Sequence, residues 1–180
     1  MYLPNKKKIS WLLLFLLGLI WGGSFFSVSL ALESFSPIQV AALRILFGAL
    51  ILFSITVFLG SNLPSLERGK RIIWFYCLGM AIFTNALPFS LLSWAQTQVS
   101  SSFAGLSMAI IPLMVLPLAH FFVKNETITR TKLVGFCIGF LGVCFLFEVD
   151  LIILEVSKSG SLHAKIACLV AAFSYAIGSI

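Results

Sequence analysis

The sequence predicts an all-α polytopic membrane protein: five transmembrane helices forming one repeat, followed by the beginning of a sixth. Composition is the first observation behind this. Of 180 residues, 60% are hydrophobic and 10% charged, with a mean hydropathy of +1.09. Soluble domains carry about 25% charged residues, so the charges here are too few to coat a water-exposed surface. The second is a series of apolar runs near the length of about 20 residues that a helix needs to cross a hydrocarbon core of about 30 Å. The third is that the basic residues sort by side once those runs are marked.

Residues 1–8 form a basic N-terminus with Lys6, Lys7 and Lys8. The first run, Ile9–Ala31, exceeds a signal-peptide core and shows no small-residue cleavage site before Glu33, so a retained helix is expected. Spans follow at Ile38–Gly60, Ile72–Ser93 and Val99–Val123. The fifth, Thr131–Phe147, is the weakest, because its charge-free stretch from Leu133 just reaches across a thin bilayer. An extracytoplasmic loop is expected over 149–161, and the sixth run starts at Leu162.

Lys6, Lys7, Lys8, Arg68, Lys70, Arg71, Lys124, Arg130 and Lys132 fall on one side of these spans, and Lys158 and Lys165 on the other. Loops rich in Lys and Arg stay in the cytoplasm, which places the N-terminus inside. Glu33, Glu148, Asp150 and Glu155 then lie outside. The pattern Asn125-Glu126-Thr127 is a glycosylation sequon, but it falls in a short inner loop and reads as chance. Cys77, Cys137, Cys144 and Cys168 lie within spans without metal-site spacing. Cys137 and Cys144 share a helix face, as a thiol pair or as inert small apolar residues. The basic residues are scattered singly between apolar runs, so nucleic acid is not an expected partner.

A unit of five spans ends on the opposite side from its start, so a copy in the same chain inserts upside down. Inverted repeats of this kind build alternating access around a midplane site. Several stretches resemble the EamA-type branch of the drug/metabolite transporter superfamily. They are Trp21-Gly22-Gly23-Ser24-Phe25, Pro37 with Ala42-Leu43-Arg44, Trp94-Ala95-Gln96-Thr97 with Ser100–Ala104, and Ile111-Pro112. Lys124–Thr129, the glycines at Leu133-Val134-Gly135 and Leu141-Gly142-Val143, and Tyr175–Gly178 as the opening of a second repeat complete the series. The resemblance implies a five-helix EamA-type repeat over 9–148, with 162–180 as the incomplete start of a second, inverted one. It departs in length, since the usual member has ten spans. The small multidrug branch uses a buried Glu in its first helix, and this chain has Leu, Gly and Trp there.

The candidate substrate-cavity residues are Trp21, Ser24, Arg44, Asn85 and Met108; Pro88 and Pro112 are candidate kinks. Arg44 is the ionised residue well inside spans 1 to 5. Its guanidinium either snorkels outward, bonding helix carbonyls or Glu33, or lines an outer cavity and favours anionic or carboxylate-bearing solutes. Pro88 lacks an N–H and so frees the carbonyl of Thr84, clustering it with the Asn85 amide. That cluster serves either a cavity or bonds to the next helix. Met108 either packs among small residues or forms a flexible wall. The Trp21 indole sits mid-span, where its N–H needs a partner. Trp94 and Gln96 either belong to the interfacial belt or cap the cavity. Gly18 with Gly22, and Gly135 with Gly139, read as packing pairs. Glu126 is expected to shape the turn before the fifth span, with Thr129 capping that helix.

No nucleophile–base pair, phosphate loop or paired carboxylate is present in the pattern, so no enzyme chemistry and no cofactor or metal is expected. The reading is a small-solute carrier, a metabolite or amino-acid-like exporter or permease, in a bacterial inner membrane. Its expected partners are a small polar metabolite, the lipid bilayer, and either a second copy in a homodimer or a missing second half. The alternative is a fragment that is inactive until such a partner completes it.

Overall fold

A serine and a proline set where the second helix begins, and a glycine sets where it stops. In the computed structural model, which describes residues 6–61, 63–65, 67, 71–124, 126–155 and 162–180, Pro37 opens that helix. The Ser36 backbone N–H donates to Gln39 Oε1 at 2.9 Å. At the other end Gly60 takes φ +65°, Ser61 N–H donates to the Thr56 carbonyl at 3.0 Å, and Gly60 N–H to Val57 at 3.0 Å. This is a left-handed C-terminal cap, which favours glycine. Gly60→Ala is expected to cost about 1 kcal/mol, read as a lowered unfolding temperature in detergent.

Eight α-helices are described: α1 (Lys6–Ala31), α2 (Pro37–Phe58), α3 (Arg71–Met80), α4 (Leu87–Ala95), α5 (Ser101–Met108), α6 (Ile111–Phe122), α7 (Arg130–Glu155) and α8 (Leu162–Gly178). Helical segments at Lys8–Ala31, Pro37–Phe58, Arg71–Ala95 and Ser101–Phe122 are long and apolar enough to cross a membrane. The basic Lys6–Lys8 cluster is the first turn of α1 rather than a separate tail. The helix α7 covers the stretch expected as the fifth span and continues as helix through Glu155, into the segment read as loop. Arg68, Lys70, Asn125, Lys158 and the rest of that loop, 156–161, lie outside the described residues.

The third span is continuous but changes winding. Between α3 and α4 the chain forms a π-helical turn, Ala81–Ala86. Its last i→i−5 bond runs from Leu87 N–H to the Ile82 carbonyl. The next would need the N–H of Pro88, which has none, so the π register ends there. In π winding the carbonyl that Pro88 leaves without its donor is that of Phe83, one residue before the Thr84 carbonyl expected from α winding. The hydroxyl of Ser174 in α8 donates to it at 2.9 Å.

The fourth span breaks at Ala109–Ile110, where Ala109 N–H turns back to Leu106 at 2.9 Å. Pro112 stands just inside the new helix, α6, and Pro117 lies further along it. Ser100 caps the start of α5, its hydroxyl accepting from Phe103 N–H at 3.1 Å.

The turn into α7 is tied by side-chain contacts. Thr129 Oγ1 accepts from Lys132 N–H at 3.3 Å, Lys132 Nζ meets Glu126 Oε2 at 2.7 Å, and His120 Nδ1 donates to the Glu126 carbonyl at 2.9 Å. The hydrogen bond from Lys132, with its charge, holds the Glu126 carboxyl below the ordinary glutamate range. A depressed folded-state value means the contact contributes above the unfolded value and is lost as pH falls through the folded one. Lys132→Gln is expected to move the Glu126 titration midpoint back up, as followed by NMR.

Side-chain size is distributed against the rule for water-soluble proteins. Ala95, Ala104, Ala164, Ala171, Ala172 and Ala176 are fully buried, while Phe58 is 90% exposed and Phe121 80%. In water such a surface would aggregate. In hydrocarbon it is the expected one, because small residues let helices approach while bulky apolar ones face lipid. The chain is a multi-pass membrane protein. At its centre lies α8, which packs on α4 above all and also on α5, α6 and the π turn. Cys168 is buried there as a free thiol; Cys137 and Cys144 are exposed and unpaired with each other. Ser93 and Gln96 are buried with no protein partner for their side-chain polar atoms.

Candidate functional site

Five helical segments contribute to one cavity of about 280 Å³. Trp21, Ser24 and Phe25 come from α1, Arg44 from α2, Phe89 and Leu92 from α4, Met108 from α5 and Tyr175 from α8. Four of the five residues singled out from the sequence, Trp21, Ser24, Arg44 and Met108, therefore meet in one place, although they come from three different helices. A shallower groove continues from it past Gly22, Gly105 and Pro112.

Arg44 is half-buried and turns inward. Its Nη2 donates to Ser24 Oγ at 2.9 Å, and its guanidinium carbon lies 4.2 Å from the centroid of the Phe89 ring. A guanidinium over an aromatic face gains from the ring quadrupole, more so where water is scarce. Glu33 does not pair with it, and among the described residues no carboxylate does. Snorkelling toward Glu33 is thus replaced by a bridge from α2 to α1 and α4.

Asn85 does not line the cavity. Its Nδ2 donates to Thr84 Oγ1 at 2.8 Å, and Thr84 Oγ1 donates to the Met80 carbonyl at 2.6 Å, so both side chains serve the π turn. Trp21 is 58% exposed and forms the rim of the cavity. Neither Trp94 nor Gln96 lines it. Pro88 is fully buried beside the π turn, and Pro112 follows the α5–α6 break and borders the groove. Of the glycine pairs, Gly18 and Gly22 meet nothing within 4 Å, whereas a Cβ on Gly139 would touch Leu113 at 3.5 Å.

Sequence reasoning missed Phe25, Phe89, Leu92 and Tyr175 as cavity residues. Phe89 and Leu92 carry no signal beyond an apolar side chain, and Phe25 only its place at the end of the Trp21–Phe25 stretch. Tyr175 had one, an aromatic polar residue followed by small ones in the sixth run. Its neighbours Ser174 and Gly178 dock α8 on the π turn: a Cβ on Gly178 would lie 2.6 Å from Thr84 Cγ2 and 2.8 Å from Phe83 Cβ. That close approach brings Tyr175 to the cavity. Among the described residues there is no cluster of His, Cys, Asp and Glu suited to a metal.

A sequence model described as the EamA-like transporter family matches residues 8–148. An uncharacterized transporter of Archaeoglobus fulgidus is 32% identical over 138 residues, which is 77% of this chain and 47% of the relative. The uncharacterized inner membrane transporter YedA of Escherichia coli K12 is 27% identical over 168 residues, 93% of this chain and 51% of its own length. The uncharacterized transporter YoaV of Bacillus subtilis is 25% identical over 162 residues, 90% and 53%. The chain spans about half the length of these curated relatives. No solved structure matches it. With the matched region covering α1 to most of α7, on a bundle whose outer surface is apolar, the chain belongs to the EamA-like transporter family.

Proposed function

We propose that this chain carries a small polar metabolite across a bacterial inner membrane, with its N-terminus in the cytoplasm. The observation that carries the reading is the meeting of Trp21, Ser24, Arg44 and Met108 at one cavity, joined by Tyr175 from α8. Polar groups such as Arg44 and Ser24 inside an apolar bundle are costly unless a solute or water uses them. Residues 9–148 act as the first five-helix unit. The helix α8 opens a second unit of opposite orientation, supplied by further chain or by a partner. Alternating access then comes from rocking one unit against the other around the cavity. The likeness to transporters of about twice the length supports this division.

Isotope counterflow tests the reading. Vesicles reconstituted with the chain are loaded with unlabelled solute and offered labelled carboxylates, amines and polyols in turn. Exchange of at least one solute above protein-free vesicles, slowed by Tyr175→Ala, is expected. No exchange of any solute by chain shown to be inserted and folded would contradict it.

A further inference from the structure

We infer that the cavity selects a small organic anion, a monocarboxylate with an apolar or aromatic body, and that Arg44 is the residue that selects it. The inference rests on the proposed transport role and names the solute class. Three features of the site lead to it.

The first is charge. Arg44 is a fixed cation inside the bundle with no carboxylate partner among the described residues. None of the side chains lining the cavity is acidic. Ser24 and the Phe89 ring offset part of the cost of burying the guanidinium, and neither neutralises it. A monoanion completes the balance, whereas a cationic solute meets repulsion.

The second is donor geometry. A guanidinium has five N–H donors, and one goes to Ser24, which leaves four. Phe89 and Ser24 hold its plane, so the fork is oriented before any ligand arrives. Such a planar fork fits the two oxygens of a carboxylate. A doubly charged phosphate would call for a second cation, and the cavity lining has one basic residue.

The third is the remaining wall. Trp21, Phe25, Met108 and Tyr175 present rings and a thioether around a volume of about 280 Å³. Drug-sized sites run from about 300 to 1,000 Å³, so this one suits a compact body rather than an extended one. Arg44 faces the head of such a solute, and the aromatic residues take its apolar part.

The test is calorimetric titration of the purified chain in detergent with three ligands of one shape: benzoate, benzamide and benzylamine. Benzoate is expected to bind at least about tenfold tighter than benzamide, and benzylamine more weakly than either. Arg44→Gln is expected to abolish the preference, so that benzoate binds no tighter than benzamide does to the same variant. Arg44→Lys, which keeps the charge and loses the fork, is expected to fall between. Equal binding of benzoate and benzamide by the unaltered chain overturns the anion selectivity but leaves the cavity a solute site. Binding of none of the three overturns the cavity as a binding site, and this inference with it. The comparison of ligands on the unaltered chain stands even if Arg44→Gln does not fold.

Discussion

Gly178→Leu is expected to detach α8 from the third span and to leave the chain aggregating or unfolded in mild detergent. Even a methyl group has no room at this position. A Cβ there would sit 2.6 Å from Thr84 Cγ2, 2.8 Å from Phe83 Cβ and 3.2 Å from the Phe83 carbonyl carbon. The Phe83 Cβ is bonded to the backbone, and the Thr84 methyl turns only with χ1, which the Thr84 Oγ1 bond to the Met80 carbonyl holds, so neither swings aside freely. Gly178→Ala should cost about 1–3 kcal/mol, the usual range for overpacking, and leucine more. Gly22→Ala is the matched control. Nothing lies within 4 Å of its Cβ position, and a helical Gly→Ala change gains about 0.5–1 kcal/mol. Unfolding temperatures of the two variants in detergent should therefore move in opposite directions. Loss of α8 also withdraws Tyr175 from the cavity, so Gly178→Ala should weaken solute binding as well as stability.

The second large effect comes from the hydrogen bond between Ser174 and Phe83. Pro88 removes the N–H that the π register would offer the Phe83 carbonyl, and Ser174 takes its place at 2.9 Å. Ser174→Ala leaves that carbonyl without the hydroxyl, at a cost of about 1–3 kcal/mol. Pro88→Ala supplies an N–H at the right residue, which predicts coupling. In the Pro88→Ala background, Ser174→Ala should cost less, by about 1 kcal/mol, within the range of about 0.6–1.7 kcal/mol measured for interhelical bonds in membranes. The volume lost with the buried proline ring cancels in the cycle. Strict additivity of the two changes would show that the serine does not replace the missing donor.

Much of the fold is legible in the sequence because the membrane simplifies the code. The apolar runs around Leu17, Leu50 and Leu91 follow from bilayer thickness and backbone satisfaction alone. The candidate site is legible for a related reason. Polar and ionisable residues in hydrocarbon are rare, so Ser24 and Arg44 stand out against their neighbours. The end of α7 is not legible this way. Charges at Glu148 and Asp150 mark where lipid stops, and a helix does not have to stop with it. The π turn is also hidden, because Pro88 announces a missing donor but not whether the winding before it is α or π. That ambiguity hid the freed carbonyl of Phe83 and the bond by which Asn85 serves the π turn instead of the cavity. Tyr175 was missed as a wall because the central role of α8 depends on tertiary packing, which an apolar run of alanines does not announce.

The central claim is that hydrocarbon covers the bulky outer surface while water and solute enter the cavity beside Arg44. Thiol labelling tests it most directly, in a background where Cys77, Cys137, Cys144 and Cys168 are alanine. Single cysteines replace Ser24, on the cavity wall, and Leu46, which is 52% exposed on α2 two residues beyond Arg44. A charged, membrane-impermeant thiosulfonate is then added to membranes containing each variant. The account predicts modification of Ser24→Cys and none of Leu46→Cys, since a thiol in lipid neither ionises nor meets the reagent. Modification of Leu46→Cys with Ser24→Cys left untouched would contradict it.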